Sequence, residues 1–231
     1  MSTDDTDTIR LNKFIALHAG ISRREADNLI ADGKVTIDDQ TAVLGARVRP
    51  GDNVRLQGKP LDTSTPYEYL MLNKPIGYVS SRRAQDDNPT IYSLLPEKYH
   101  SLKPVGRLDK DSSGLILLTN DGDFAQQMTH PSYGKAKQYQ VSLESNLEPL
   151  HQQMISDIGI DLDDGKSKLT LEHPTDDRHD WIISMHEGRN RQIRRTFGAL
   201  GYTVKTLHRT HFGNYSLGDL AEGKYQEVTV A

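Results

Sequence analysis

Cysteine is absent from the 231 residues, which excludes disulfides, thiolate nucleophiles and cysteine-based zinc sites. Long apolar runs are absent as well. None approaches the roughly 20 residues that a membrane-spanning helix needs. The first eight residues are acidic and polar, unlike a signal peptide, so we expect a cytoplasmic protein without a membrane partner. There is no glycine-rich phosphate loop of the Walker type and no dinucleotide fingerprint. The nine histidines show no H-E-x-x-H or comparable metal spacing. No serine sits in the G-x-S-x-G setting of a hydrolase nucleophile, and the His/Cys ligands of a zinc deaminase are missing.

What is present is globular. Hydrophobic residues make up 35% and charged residues 26%, ordinary values for a folded chain. The length accommodates one sizeable core, or a small domain followed by a larger one. Net charge is only −4, but it is unevenly spread. Residues 9–60 carry +3, residues 185–211 carry +5, and residues 144–180 between them carry −7. Such a pattern fits a one-sided basic face, and it equally fits a solvated mixture.

The residues divide into two units. Residues 1–8 read as a frayed tail. Leu11, Phe14, Ile15 and His18 have the i, i+3, i+4, i+7 spacing of an amphipathic helix, stopped by Gly20. Ser22-Arg23-Arg24-Glu25 forms a capping box for a second helix, with Ile21 as a staple on Ala26, and Gly33 ends it. Val35 and Ile37 alternate as a strand, Asp38-Asp39 reads as a turn, and Pro50-Gly51-Asp52 as another before Val54 and Leu56. The polar stretch 61–66 reads as a linker. The second unit, residues 67–231, intermixes strands and helices without a βαβ rhythm, which favours an α+β fold. Strands are expected over 69–72, 78–81, 115–119, 139–143 and 181–185. Helices are expected along Leu147, Leu150 and Met154, and along Ile193, Phe197 and Leu200 up to Gly201.

Three segments could carry chemistry. Arg23 and Arg24 lie in the first turn of a helix, where the backbone is already partly positive. A phosphate held there would explain them; so would simple solvation. Asp109 sits among polar loop residues before a buried strand, where a side chain can be held rigidly at a pocket, although an aspartate in a Ser/Gly loop is commonly a turn-former. Arg189, Arg191, Arg194 and Arg195 read as a basic helix face. Arginines so close repel, so either an anionic partner or internal acids must offset them.

At this point a family resemblance emerges. Gly106-Arg107-Leu108-Asp109, followed by Ser113-Gly114-Leu115-Ile116-Leu117-Leu118-Thr119-Asn120-Asp121-Gly122, resembles the active-site signature of bacterial ribosomal pseudouridine synthases, in the small-subunit-synthase branch. Leu72-Asn73-Lys74-Pro75 with Gly77 resembles the first motif of that family. Lys137-Gln138-Tyr139 resembles its lysine-any-tyrosine motif, Glu187 through Arg195 its basic motif, and Leu207-His208-Arg209 its leucine-any-arginine motif. Residues 9–60 resemble an S4-type RNA-binding domain. The resemblance covers nearly the whole chain.

The resemblance implies an α+β catalytic domain with a central antiparallel sheet and a cleft. It implies Asp109 as the essential carboxylate, Tyr139 packed on the target base, Arg194 paired with Asp109, and Leu207 lining the base pocket. Thr196 departs from the family, whose members often carry methionine there. The expected RNA contacts are Arg23, Arg24, Lys74, Arg107, Arg189, Arg191, Arg195 and Arg209. The expected partner is ribosomal RNA, bound by a monomer without metal or organic cofactor. Arg189-Asn190-Arg191-Gln192 looks more like the large-subunit enzymes, favouring 23S over 16S rRNA. Two other readings stand beside this one. A non-catalytic ribosome-assembly factor on the same fold should have lost one of Asp109, Tyr139 or Arg194. A nucleoside hydrolase would have no use for the separate RNA-binding unit.

Overall fold

The computed structural model describes residues 8–82, 87–175 and 177–230. The expected N-terminal tail lies outside the described residues except for Thr8. Two compact units part between Glu68 and Tyr69, just beyond the polar stretch 61–66.

The first unit runs β1 (Ile9–Arg10), α1 (Leu11–His18), α2 (Arg23–Ala31), β2 (Val35–Ile37), β3 (Gln40–Thr41), β4 (Arg47–Val48), β5 (Val54–Leu56) and β6 (Lys59–Pro60). Leu11 and Ile15 of α1 and Ala26 and Ile30 of α2 bury their stripes with Val35, Val48 and Val54. Ser22 caps α2 by accepting from the Glu25 N–H at 3.1 Å. The return bond of a full capping box is not formed among the described residues. Asp38 and Asp39 both have positive φ, 49° and 64°, as a two-residue hairpin turn requires. Arg23 and Arg24 are exposed.

The second unit is built on β7 (Tyr69–Lys74), β8 (Lys103–Val105), β9 (Ser113–Thr119), α3 (Gly122–Thr129), β10 (Lys137–Leu143), α4 (Pro149–Gln153), β11 (Ile160–Leu162), β12 (Gly165–Ser167), β13 (Thr170–Glu172), β14 (Asp180–Met185), α5 (Gln192–Gly198), β15 (Val204–Phe212), β16 (Tyr215–Ser216) and β17 (Tyr225–Glu227). Its sheet has the order β13-β14-β10-β15-β9-β7-β17, with β16 on β15 and β8 on β9. The pairs are antiparallel except β15 with β9, which is parallel. The sheet is therefore mixed rather than purely antiparallel. Both faces are covered. Leu70, Leu72, Ile116 and Leu118 pack into one core, and Met71, Leu115 and Leu117 into the other. That explains why residues 115–118 form an unbroken apolar run instead of an alternating one.

Three expectations need correction. Residues 78–81 do not form a strand. Val79 makes a single bridge to Thr90, and Pro89 beside it has no N–H with which to extend a ladder. Leu147 precedes its helix, which starts at Pro149, and Leu150 is 65% exposed. A π-helical stretch, Met154–Ile158, shifts the phase and buries Ile155 instead. Finally, α5 begins only at Gln192, so Arg189 and Arg191 precede the helix rather than sharing its face.

Candidate active site

The parallel junction between β9 and β15 organises the site. Asp109 lies in the loop that enters β9. Each carbonyl of residues 108–112 is hydrogen-bonded. Ser80 Oγ donates to Leu108 O at 2.8 Å. Ser112 N–H donates to Asp109 O, and Gly77 N–H to Lys110 O. Arg194 Nη2 donates to Asp111 O at 2.8 Å, and Lys74 Nζ to Ser112 O at 2.6 Å. A loop so tied cannot swing, so it presents the Asp109 carboxylate, itself 38% exposed, in one place.

Asp109 opens onto a cavity of about 540 Å³ whose lining includes Arg107, Tyr139, Arg191, Leu207, Arg209 and Phe212. Tyr139 and Leu207 are nearly buried, with Tyr139 opposite Arg209 across β10 and β15. The Tyr139 hydroxyl has no hydrogen-bond partner among the described residues. A separate hollow in the first unit, lined by Asp38, Arg47, Arg49 and Asp52 among others, gathers no comparable set of groups.

The charges are arranged differently from the expected pairing of Arg194 with Asp109. Arg191 is the nearer partner, with Nη1 3.6 Å from Asp109 Oδ2, and it also grips Asp111 through two bonds of 3.0 and 2.8 Å. Arg194 pairs with Asp111 at 3.3 Å and donates to Val204 O at 2.7 Å. Its backbone anchors leave its guanidinium on the Asp111 side of the loop. The Arg191 hydrogen bonds, helped by Arg194, hold the Asp111 carboxyl below the usual carboxylate range. Arg191 adopts left-handed backbone, φ 46°, a conformation uncommon outside glycine and found at constrained sites.

Internal acids also offset the rest of the basic segment. Arg189 bonds Asp164 at 2.7 Å, and Arg195 bonds Asp164 at 2.6 Å and also Asp163. Asp163 and Asp164 sit at the turn between β11 and β12, so the acidic stretch of the sequence clamps the basic one. Arg107, in contrast, is exposed and has no carboxylate within ion-pair distance among the described residues.

Two expected RNA contacts are not on the surface. Lys74 is 0% exposed and Arg209 2%, so neither offers its charge to an RNA backbone on the outer surface, and Arg209 faces only the cavity. Lys74 spends its donors on Ser112 O and Pro75 O and acts on the Asp109 loop from beneath. Burial pushes its ammonium down from 10.5 to about 8. The unfolded chain keeps that proton up to its ordinary value, whereas the folded chain releases it near 8. Below pH 8 the folded state therefore carries a deficit of about 3 kcal/mol, relieved as pH rises towards 10.5. Lys74→Met removes the titration. The unfolding free energy of wild type minus that of Lys74→Met should therefore rise with pH between about 8 and 10.5. A difference that stays flat across that window would contradict this reading.

Lys137 and Phe212 belong to the cavity although their motifs singled out only Tyr139 and Leu207. Lys137 shares the β10 face of Tyr139 by period two, a signal the sequence did contain. Phe212 had none. Gln138 pairs with His211 and Tyr139 with Arg209, leaving Thr210 as an extra residue. This bulge resets the alternation and brings the Phe212 ring beneath Arg209, 4.9 Å from its guanidinium carbon. Among the described residues, no group of three or more His, Asp or Glu is placed to hold a metal ion, and no helix is long and apolar enough to cross a membrane.

Comparisons with known proteins fit this geometry. Residues 68–199 match the RNA pseudouridylate synthase family, and residues 9–54 match the S4 domain. The chain is 38% identical over 232 residues to ribosomal large subunit pseudouridine synthase B of Bacillus subtilis, covering 95% of this chain and 92% of that one. It is 36% identical over 229 residues to ribosomal small subunit pseudouridine synthase A of Yersinia pestis, covering 96% and 95%. A crystal structure described as a pseudouridylate synthase superposes with a TM-score of 0.68 at 33% identity, over 96% of each chain. With a catalytic-domain match over more than half its length and relatives alike along nearly all of it, the chain belongs to the RNA pseudouridine synthases, isomerases that here carry an N-terminal S4 domain.

Proposed function

We propose that this enzyme isomerises a uridine of ribosomal RNA to pseudouridine with Asp109 as its catalytic carboxylate, and that the RNA is 23S rather than 16S. The observation that carries the reading is the Asp109 loop, pinned at five successive carbonyls, opening beside Arg191 into a cavity with Tyr139 and Leu207. Pseudouridylation breaks the bond between ribose and uracil N1, turns the base and rejoins it through C5, with no net redox change. A fixed carboxylate can serve as nucleophile or base toward the ribose, and the Arg191 guanidinium stands 3.6 Å from it. The base must leave its stack to reach the cavity, and the Tyr139 ring then supplies a face for it.

Phosphate contacts fall to exposed cations. Arg23 and Arg24 at the N-terminus of α2 and Arg107 at the cavity rim are the ones we assign. Arg189, Arg191 and Arg195 shape the wall, with their acids as exchangeable partners for phosphate. Support for 23S comes from the Arg189-Asn190-Arg191-Gln192 segment, since relatives of both subunit types match at similar identity. Mapping pseudouridine in both rRNAs, from cells with and without the gene, tests the assignment. Loss of a 23S site is expected. Loss of a 16S site instead would reassign the substrate, and unchanged maps would contradict the reading.

A further inference from the structure

The floor of the cavity holds two cations that the mechanism so far leaves unused. Arg209 is 2% exposed. Its Nε donates to Leu115 O at 2.7 Å, its Nη2 is buried without a partner, and no carboxylate lies within ion-pair distance of it among the described residues. Lys137 converges on the same ring: its Nζ lies 5.2 Å from the Phe212 centroid and the Arg209 guanidinium 4.9 Å. The Lys137 amine donates to a backbone carbonyl, Glu187 O, at 3.4 Å. Burial, and then the neighbouring Arg209, push the Lys137 ammonium below its ordinary value. Two poorly hydrated cations side by side are unfavourable unless an anion joins them. Arg189, Arg191, Arg194 and Arg195 each pair with a carboxylate. This pair has none, and it lies beside Tyr139, the ring proposed to hold the base, with Lys137 on the same strand and Arg209 opposite in register.

We infer that Arg209 and Lys137 stabilise the negative charge that develops on the uracil ring when its bond to ribose breaks. The inference rests on the proposed uridine chemistry. When the N1–C1′ bond breaks, its electron pair leaves with the base, and the charge spreads over N1, O2 and O4. On the sugar side, the Asp109 carboxylate either bonds to C1′ or takes the C2′ proton. After the base turns, C5 bonds to C1′, the carboxylate leaves or returns its proton, the C5 hydrogen departs as a proton, and N1 takes one up. Charge thus appears on the ring and disappears again, and fixed cations in a water-poor cavity are most effective against charge that exists only along the reaction path. An RNA phosphate is the other anion that could sit here; it would be bound equally in ground state and transition state.

The test is single-turnover conversion of an rRNA fragment by Arg209→Met and Lys137→Met, alongside RNA affinity and its salt dependence. We expect each variant to slow conversion by roughly 100-fold or more, the loss typical of removing one such donor, with affinity and salt slope unchanged. Weakened affinity with a shallower salt slope and an unchanged conversion step would assign the pair to a phosphate and overturn the inference. So would wild-type conversion by both variants. If Arg209→Met does not fold, Lys137→Met and Arg209→Lys carry the same test, with the lysine variant expected to retain part of the rate. Wild-type protein that converts no uridine would instead contradict the underlying function.

Discussion

Gly114→Ala should destabilise the protein by on the order of 3–5 kcal/mol, combining left-handed strain with a backbone overlap that no rotamer can relieve. Gly114 has φ +104°, and a Cβ there would lie 2.2 Å from the Arg209 carbonyl oxygen and 2.6 Å from its nitrogen. The contact is the parallel pairing of β9 with β15, where Arg209 is the register partner of Gly114. On its other side Gly114 pairs with Lys74 of β7. Pushing β9 away would therefore disturb the Arg209 bond to Leu115, the Lys74 clamp and the Asp109 loop together. Gly223→Ala is the control. That glycine also has positive φ, +75°, but nothing lies within 4 Å of its Cβ position, so strain alone should cost about 1–2 kcal/mol. Denaturant unfolding of both variants measures the difference. Equal losses would show that the close approach does not govern Gly114.

Local patterns in the sequence were legible where they answer to local forces. The α1 and α2 stripes, the Ser22 cap and the alternation of Tyr139, Val141 and Leu143 all follow from period and capping chemistry. The Asp109 loop was recognisable because its motif runs on into a strand buried on both faces. What was hidden depends on distant partners. Lysine and arginine read as surface residues, so the burial of Lys74 and Arg209 became visible only once their carbonyl acceptors were in place. The arginines from 189 to 195 read as a surface awaiting phosphate, because their acids come from the β11–β12 turn and from Asp111, far away in sequence. The helix register assumed for Arg191 and Arg194 failed at the left-handed Arg191, which puts Arg191, not Arg194, nearest Asp109. The Thr210 bulge, which brings Phe212 into the cavity, leaves no mark in hydrophobic periodicity.

Asp109→Asn should abolish chemistry while sparing RNA binding. The amide keeps the size of the carboxylate but is a far poorer nucleophile and base, and removing such a group costs on the order of 10⁴-fold or more in turnover. The site should keep its shape. Arg191 retains both bonds to Asp111, and the five carbonyl bonds of the loop do not involve the Asp109 side chain. Affinity comes mainly from cations on phosphate, so it should persist or rise slightly as one negative charge leaves the cavity. The most direct measurement follows from the bond made in the product. Carbon 5 of uracil must lose its hydrogen when it joins the sugar, so an rRNA fragment tritiated at that carbon reports turnover as tritium released to water. Wild type should release tritium in step with pseudouridine formed, and Asp109→Asn should bind the same RNA yet release none above the enzyme-free level; release by Asp109→Asn at a rate near that of wild type would contradict the assignment of Asp109.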